Sequence, residues 1–320
     1  MYQLKRISIT FFSVLSLLVC AAGFAAAQVR PPVPRPSSKA SVMQQIGTTD
    51  VSITYSRPAV KGRTIWGDWP TAIAGEATLD NQNTRPAGAP IVPNGHLWRA
   101  GANEATLFVV NDDVLVNGQP LAAGKYSLHM IPGKEEWTVV FNNDDGQWGS
   151  FAYDAKKDAL RVKTKPQSVA DSKELLYYNF DNVTDKSATV YLRWEKIKVP
   201  FTVEIKDVVG STMKRLETYV AGAKSDDPSP ALNAANYAKA NKQTEAATKW
   251  FDAALKASDE QIKGKASFAN LGRRANILVA AGRMPEALAA AEKALEAGKA
   301  EKADTAALEK RIADMKAGKN

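Results

Sequence analysis

From Thr106 to Ile205 the chain carries one short apolar-alternating run after another, and at Asp207 the hydrophobic period changes from two to that of a helix. Alternation at period two puts successive side chains on opposite sides of a pleated backbone, so each run predicts a strand with one buried face. Upstream, Val51, Ile53 and Tyr55 alternate with Ser52, Thr54 and Ser56 until Arg57-Pro58 ends the pattern. Thr106 to Val110 and Val114 to Val116 follow, and Asn117-Gly118 supplies the left-handed backbone of a tight hairpin turn. In the next run Tyr126, Leu128 and Met130 share one face and Lys125, Ser127 and His129 the other, which predicts that His129 points away from the core. Further strands are expected at 137–141, 149–153, 159–164, 174–180, 187–194 and 199–205. About nine or ten short strands with no helical period between them predict an all-β antiparallel sandwich or jelly roll, with a closed barrel as the second choice.

The helical code begins with Val208, Met213, Leu216 and Tyr219/Val220 on one face, a linker helix over 207–225 that Asp226-Asp227-Pro228-Ser229-Pro230 breaks. From 226 to 320 the chain is rich in Ala, Lys, Glu and Leu and echoes itself. Ala240-Asn241-Lys242-Gln243-Thr244-Glu245-Ala246 matches Ala281-Gly282-Arg283-Met284-Pro285-Glu286-Ala287, and Ala247-x3-Phe251-x2-Ala254-Leu255 matches Ala287-x3-Ala291-x2-Ala294-Leu295. This spacing resembles the second helix of tetratricopeptide repeats, although the offset of about 40 exceeds the usual 34 residues. The expectation is a separate all-α, tetratricopeptide-like domain of two degenerate repeats.

At the other end, Lys5 and Arg6 precede an apolar run from Ile7 to Val19 and the small residues Ala25-Ala26-Ala27. Too short for a membrane span, the run reads as an export signal, residues 1–27, removed before Gln28. Membrane contact is then expected only through the uncleaved signal. Cys20 is the single cysteine of the 320-residue chain, so the exported form would hold neither a disulfide nor a thiol nucleophile. Removing Lys5 and Arg6 lowers the formal charge from +8 to +6, spread without a basic block, and no nucleic-acid partner is expected. Residues 28–39, with four prolines, read as an extended tether before a β domain at 40–206.

Catalytic signatures are missing: the sequence has no Gly-x-Ser-x-Gly elbow, no His-Glu-x-x-His pair and no phosphate-cradling glycine loop. It has two histidines, His96 and His129, which excludes a three-histidine metal site; no metal and no cofactor is expected. The two could face each other across a cleft as acid and base. The densest knot of interacting side chains is Trp98-Arg99 with Asn103, an apolar plane, a rigid five-donor cation and an amide within six residues. Such a set can stack on a sugar or grip a carboxylate, and it can equally close the end of a sandwich.

The residues around this knot resemble the DUF2911 family of bacterial exported proteins, a domain of unknown function, over about Ala40 to Lys206. The resemblance rests on Tyr55-Ser56-Arg57-Pro58, Lys61-Gly62-Arg63-x-Ile65-Trp66-Gly67, Val92-Pro93-x-Gly95-x-x-Trp98-Arg99-x-Gly101-Ala102-Asn103-x-Ala105-Thr106, Val116-Asn117-Gly118, Ala123-Gly124-x-Tyr126-Ser127-Leu128, Ile131-Pro132-Gly133, Glu136-Trp137-Thr138 and Trp148-Gly149. It implies helical repeats after the β domain and supplies no reaction. Two departures stand out: Asp68 to Ile91 intervene before the Val-Pro-x-Gly passage, and His129 stands where the family pattern has an aromatic residue.

Three functions are therefore compared. The first is a non-enzymatic binding or assembly module of the cell envelope, periplasmic or extracellular, holding a protein or peptide on the helical repeats. The second is a hydrolase of a polysaccharide or ester, with Arg63, His96, Arg99 and Asn103 converging in one cleft. The third is a glycan-binding sandwich that stacks sugars on Trp66 and Trp98. The relative placement of Arg57, Arg63, Trp98, Arg99 and Asn103 discriminates among them.

Overall fold

The computed structural model describes residues 33–69 and 88–319; the export signal and most of the 68–91 insertion lie outside them. Residues 37–320 make one compact unit. It holds a β-rich part, 38–205, followed by six helices, 208–316, as the change of period predicts.

Two antiparallel sheets enclose the β core. The larger has the order β1 (Ser38–Ile46), β2 (Thr49–Arg57), β5 (Thr106–Val110), β8 (Gly124–Ile131), β9 (Trp137–Asn142) and β10 (Asp158–Thr164). The smaller has the order β11 (Gln167–Asp181), β12 (Ser187–Ile205), β6 (Val114–Val116) and β7 (Gln119–Leu121). A short parallel ladder joins β3 (Trp66–Gly67) to β4 (Val92–Pro93). The alternating residues fill the space between the sheets: Val51, Ile53, Phe108, Leu128, Val139 and Phe141 from one side, and Leu176, Val190, Leu192, Phe201 and Val203 from the other. Burying such side chains stabilises by about 1.5–3 kcal/mol each, which a chain of this kind needs in place of disulfides. At the β6–β7 turn Asn117 (φ 46°) and Gly118 (φ 79°) adopt the left-handed pair expected of them.

Four expectations need correction. Ser38 and Lys39, assigned to the tether, already pair with Arg57 and Ser56 in β1, a strand whose polar, exposed outer positions hide its period. The strand expected at 149–153 is a series of turns, because Gly149 takes φ 65°. The strands expected at 187–194 and 199–205 are one strand, β12. Its inward residues are even-numbered from Ala188 to Trp194 and odd-numbered from Val199 to Ile205. Glu195, at φ 48° beside register shifts in which β11 carries the extra residues, breaks the alternation of β12 and exchanges the faces. His129 is the fourth, and its surroundings are described below.

The helices are α1 (Val208–Ala221), α2 (Ser229–Ala240), α3 (Thr244–Gly264), α4 (Phe268–Ala280), α5 (Met284–Ala300) and α6 (Ala306–Lys316). Asp207 caps α1 by accepting from Gly210 N at 2.8 Å, and Ser267 caps α4 through Asn270 N. The α2–α3 and α4–α5 turns have the same construction. Lys242 (φ 59°) and Gly282 (φ 79°) occupy the left-handed position, and the next residues, Gln243 and Arg283, donate back to Ala238 O and Leu278 O. The equivalence runs at an offset of 40 throughout, so the turn residues align one position earlier than the sequence echo suggested. Ala247 and Ala287, Phe251 and Ala291, and Ala254 and Ala294 are buried in matching places, small residues letting the helices approach.

Candidate functional site

The passage from Pro93 to Thr106 folds as a keystone at one end of the sandwich. Trp98 exchanges two backbone hydrogen bonds with Met130, each 2.8 Å, two places beyond the Thr106–Leu128 pair of β5 and β8. Arg99 to Ala105 is thus an excursion from the line of β5, closed where Thr106 N donates to Arg99 O at 3.2 Å. Inside it Ala100 (φ 50°) and Asn103 (φ 60°) are left-handed. Ala100 O accepts from both Tyr178 Oη at 2.8 Å and Thr106 Oγ1 at 3.0 Å. Gly101 cannot carry a side chain, since a Cβ would stand 2.7 Å from Thr106 Oγ1. Burial raises the Tyr178 phenol well above its ordinary range and keeps this donor protonated.

Trp66 and Trp98 do come together, but inside. Trp98 is 8% exposed and donates from Nε1 to Gly101 O at 3.0 Å. The half-buried Trp66 meets Trp98, Trp137 and Trp194 edge to face at 5.1–5.8 Å, and Trp98 stacks on Trp194 at 5.9 Å. The indoles are core, so the sugar platform expected on them is not available. Among the basic residues, Arg57 Nε donates to Leu176 O at 2.8 Å, and Arg63 holds Ala59 O and Val60 O. Arg99 Nη1 donates to Asn103 O at 3.1 Å, and Asn103 Nδ2 to Ser37 O. Arg63 and Arg99 serve the backbone of their own loops, Arg57 reaches across to β11, and Arg99 meets Asn103. Of the four residues expected in one cleft, Arg99 and Asn103 are joined by a hydrogen bond, Arg63 is held at Ala59 and Val60, and His96 is 6% exposed.

His129 lies on the outer face of the large sheet as its period predicts, yet it is 0% exposed. The alternation is right; the expected exposure is wrong, because the segment from Asn143 to Lys157 folds back over that face. Tyr153 covers the imidazole at 5.2 Å between ring centres, and Ser127 Oγ lies 3.5 Å from its Nδ1. Beyond the ring, Tyr153 Oη donates to Asp158 Oδ2 at 2.7 Å, Asn142 Nδ2 donates to Asp158 Oδ1 at 2.8 Å, and Arg161 Nε donates to Asp158 Oδ2 at 2.6 Å. Burial, then the Asp158 carboxylate, pushes the Tyr153 phenol upward. This closed network fastens the covering segment and opens no path to the histidine; His96 and His129 share no solvent cleft.

Sequence reasoning missed the residues where this cover meets the sheet. Ala105 N donates to Gln147 O at 3.1 Å and Gly149 N to Asn103 O at 2.9 Å, which makes Glu104 and Trp148 a directly opposed pair. Beside them lies a hollow of about 160 Å³ whose wall includes Glu104, Gln147, Lys39 and Leu107. The available signal was Trp148-Gly149 in the family pattern. Gly149 suits the left-handed backbone there (φ 65°), where a Cβ would also stand 2.7 Å from Arg99 Nη1 and 3.0 Å from Phe151.

The helices carry larger clefts. One, of about 670 Å³, is lined by Val279, Met284 and Met315 with Arg311 and Asp314; a second, of about 410 Å³, by Phe268, Arg273, Asn276, Leu308 and again Arg311. Arg311 of α6 donates to Asn276 Oδ1 of α4 and so stands between the two. Among the described residues, no three His, Cys, Asp or Glu side chains gather as a metal site, and no helix is long and apolar enough to cross a membrane.

No curated protein and no solved structure matches the chain. The sequence profile of DUF2911, described as a protein of unknown function, matches residues 37–203. That span holds the whole keystone, both sheets up to the last turn of β12 and the covering segment, and on this match the chain belongs to the DUF2911 family.

Proposed function

We propose that the protein is a non-enzymatic binding and assembly module of the cell envelope, exported after loss of residues 1–27, with the helical array holding a protein or peptide partner. The carrying observation is the pair of clefts on either side of Arg311, between α4 and α6. Their walls combine Met284, Met315, Val279, Phe268 and Leu308 with the forked donors of Arg273 and Arg311. Methionine, aromatic and arginine side chains are the ones enriched at protein interfaces. An extended chain can lay apolar side chains in both clefts while the guanidiniums take its carbonyl or carboxylate oxygens. The matching turns at offset 40 support the repeat reading, since stacked helix pairs present such a continuous surface. The β part then serves as the body on which the array is mounted.

The test is cross-linking and affinity capture from envelope fractions with the intact protein and the Arg311→Glu and Met315→Lys variants. The expected result is a partner retained by the parent and lost from both variants. A partner held equally by all three, or none in any envelope fraction, overturns the reading.

A further inference from the structure

We infer, building on the peptide-holding role proposed above, that the groove between α4 and α6 selects an extended segment with acidic side chains. The five arginines of the helical array divide into two sets. Arg215, Arg274 and Arg283 each lie against a carboxylate, that of Asp112, Asp259 and Glu286, at 2.5–2.6 Å. The other two face neutral amides: Arg273 Nη1 donates to Gln261 Oε1 at 2.9 Å, and Arg311 Nη1 donates to Asn276 Oδ1. Asp227 feels the charge of Arg273 at longer range and makes no ion pair with it. Among the described residues, the two arginines of the array without a paired carboxylate are thus the two in the wall of the 410 Å³ cleft.

The groove is regular. Ala269, Gly272, Arg273 and Asn276 stand at i, i+3, i+4 and i+7 along one face of α4. Asp304, Ala307, Leu308 and Arg311 repeat that spacing into α6. Gly272 and Ala307 keep the middle open, and a Cβ at Gly272 would meet no neighbouring side chain within 4 Å. Seven residues of helix rise about 10 Å, the length of about three residues of extended chain. Alternate side chains of such a chain point the same way, so acids at every second position all reach the arginine side. Phe268 and Leu308 offer apolar surface to the residues between them.

Charge selects the partner. The wall sets Arg273 and Arg311 against one carboxylate, Asp304, which accepts from Ala306 N at 3.1 Å where α6 begins. The adjoining cleft of about 670 Å³ sets Arg311 and Lys319 against Asp314. Each wall therefore has one more cation than anion. A carboxylate that takes the place of an amide oxygen at either guanidinium makes a charge-assisted, two-pronged bond that the amide cannot. A lysine-bearing segment would meet like charge.

The experiment titrates the full-length protein, by calorimetry, with acetylated and amidated hexapeptides that alternate leucine with glutamate, glutamine or lysine, and with the glutamine peptide bearing a free terminal carboxylate. The expected result is saturable binding of the glutamate peptide, about tenfold tighter than that of the glutamine peptide, with the lysine peptide inert. Arg273→Gln, Arg311→Gln and Gly272→Leu are each expected to weaken it about tenfold, whereas Arg274→Gln, whose guanidinium lies on Asp259, is expected to leave it unchanged. Thermal unfolding checks each variant, and Gly272→Leu fills the groove without changing charge should an arginine variant fail to fold. Equal binding of the glutamate and glutamine peptides, binding of the free-carboxylate peptide alone, binding unchanged in the folded groove variants, or no binding of any peptide overturns the inference. A partner captured from envelope fractions and lost in Arg311→Glu, with no preference for the glutamate peptide, overturns the acidic selectivity and leaves the peptide-holding role standing.

Discussion

Arg215 of α1 donates from Nη2 to Asp112 Oδ2 at 2.5 Å, and the same carboxylate oxygen accepts from the buried Thr49 hydroxyl at 2.7 Å. One carboxylate therefore ties the first helix to the β1–β2 turn, while Val208 packs on the β core behind it. The Arg215 side chain is 40% exposed, so the ion pair itself is worth no more than about 1 kcal/mol. Asp112→Ala removes an acceptor from a fully buried hydroxyl as well and is expected to cost about 1–3 kcal/mol. Urea unfolding of Arg215→Ala, Asp112→Ala and the double variant tests this; equal costs for the two single changes would show that Thr49 does not depend on Asp112.

The four packed indoles predict an asymmetry. Trp98 Nε1 has its partner in Gly101 O, whereas Trp66 Nε1 is buried with no partner among the described residues. Both tryptophan-to-phenylalanine changes remove volume, but only Trp98→Phe strands a carbonyl, and Trp66→Phe deletes a donor that none of those residues accepts. Trp98→Phe is therefore expected to be more destabilising by about 1–3 kcal/mol, read from urea midpoints at constant slope. Equal losses would mean that volume alone governs the cluster.

Tyr178 makes stability sensitive to alkali. Its phenol is raised by burial above the ordinary value of 10.0, so above that pH the unfolded chain loses this proton first. The contribution is complete below pH 10 and declines as pH rises toward the folded value, with a limiting slope of about 1.4 kcal/mol per pH unit. Tyr178→Phe is expected to cost about 1 kcal/mol at neutral pH, through the lost bond to Ala100 O, and to flatten the decline above pH 10. Unfolding free energies at pH 8 and pH 11 for parent and variant provide the comparison; parallel declines would contradict it.

Glu195 offers a sharper test of register. Deleting it would leave an even spacing between Trp194 and Val199, so that Val199, Phe201, Val203 and Ile205 fall on the same alternation as Ala188–Trp194 and stay inward without a left-handed residue. The deletion is therefore expected to fold, and Glu195→Gly, which eases a left-handed backbone, is expected to be neutral or stabilising by up to about 1 kcal/mol. Circular dichroism and melting of the two proteins give the result; an unfolded deletion variant would refute the register argument.

Much of this molecule is legible from its residues one stretch at a time. The alternation at Tyr126, Leu128 and Met130 assigns the inner face of β8, Asn117-Gly118 assigns the hairpin, and the change of period at Asp207 assigns the helices, because backbone sterics and side-chain direction act within a few residues. The even-to-odd shift in β12 is also written there, as two runs whose junction the structure places at the left-handed Glu195.

Tertiary structure alone decided what covers each face. Period two places His129 on the outer side of the sheet, but its burial comes from Tyr153, held 24 residues downstream by Asp158 and Arg161. Likewise Trp98 and Arg99 look like a binding pair in sequence, and the fold turns one into the core and spends the other on its own loop. Glu104 and Trp148 have no local relation at all; an antiparallel bridge between distant segments sets them side by side. Local periodicity fixes the direction in which a side chain leaves the backbone. What it then meets depends on contacts between distant segments, and the candidate sites of this protein are made of such contacts.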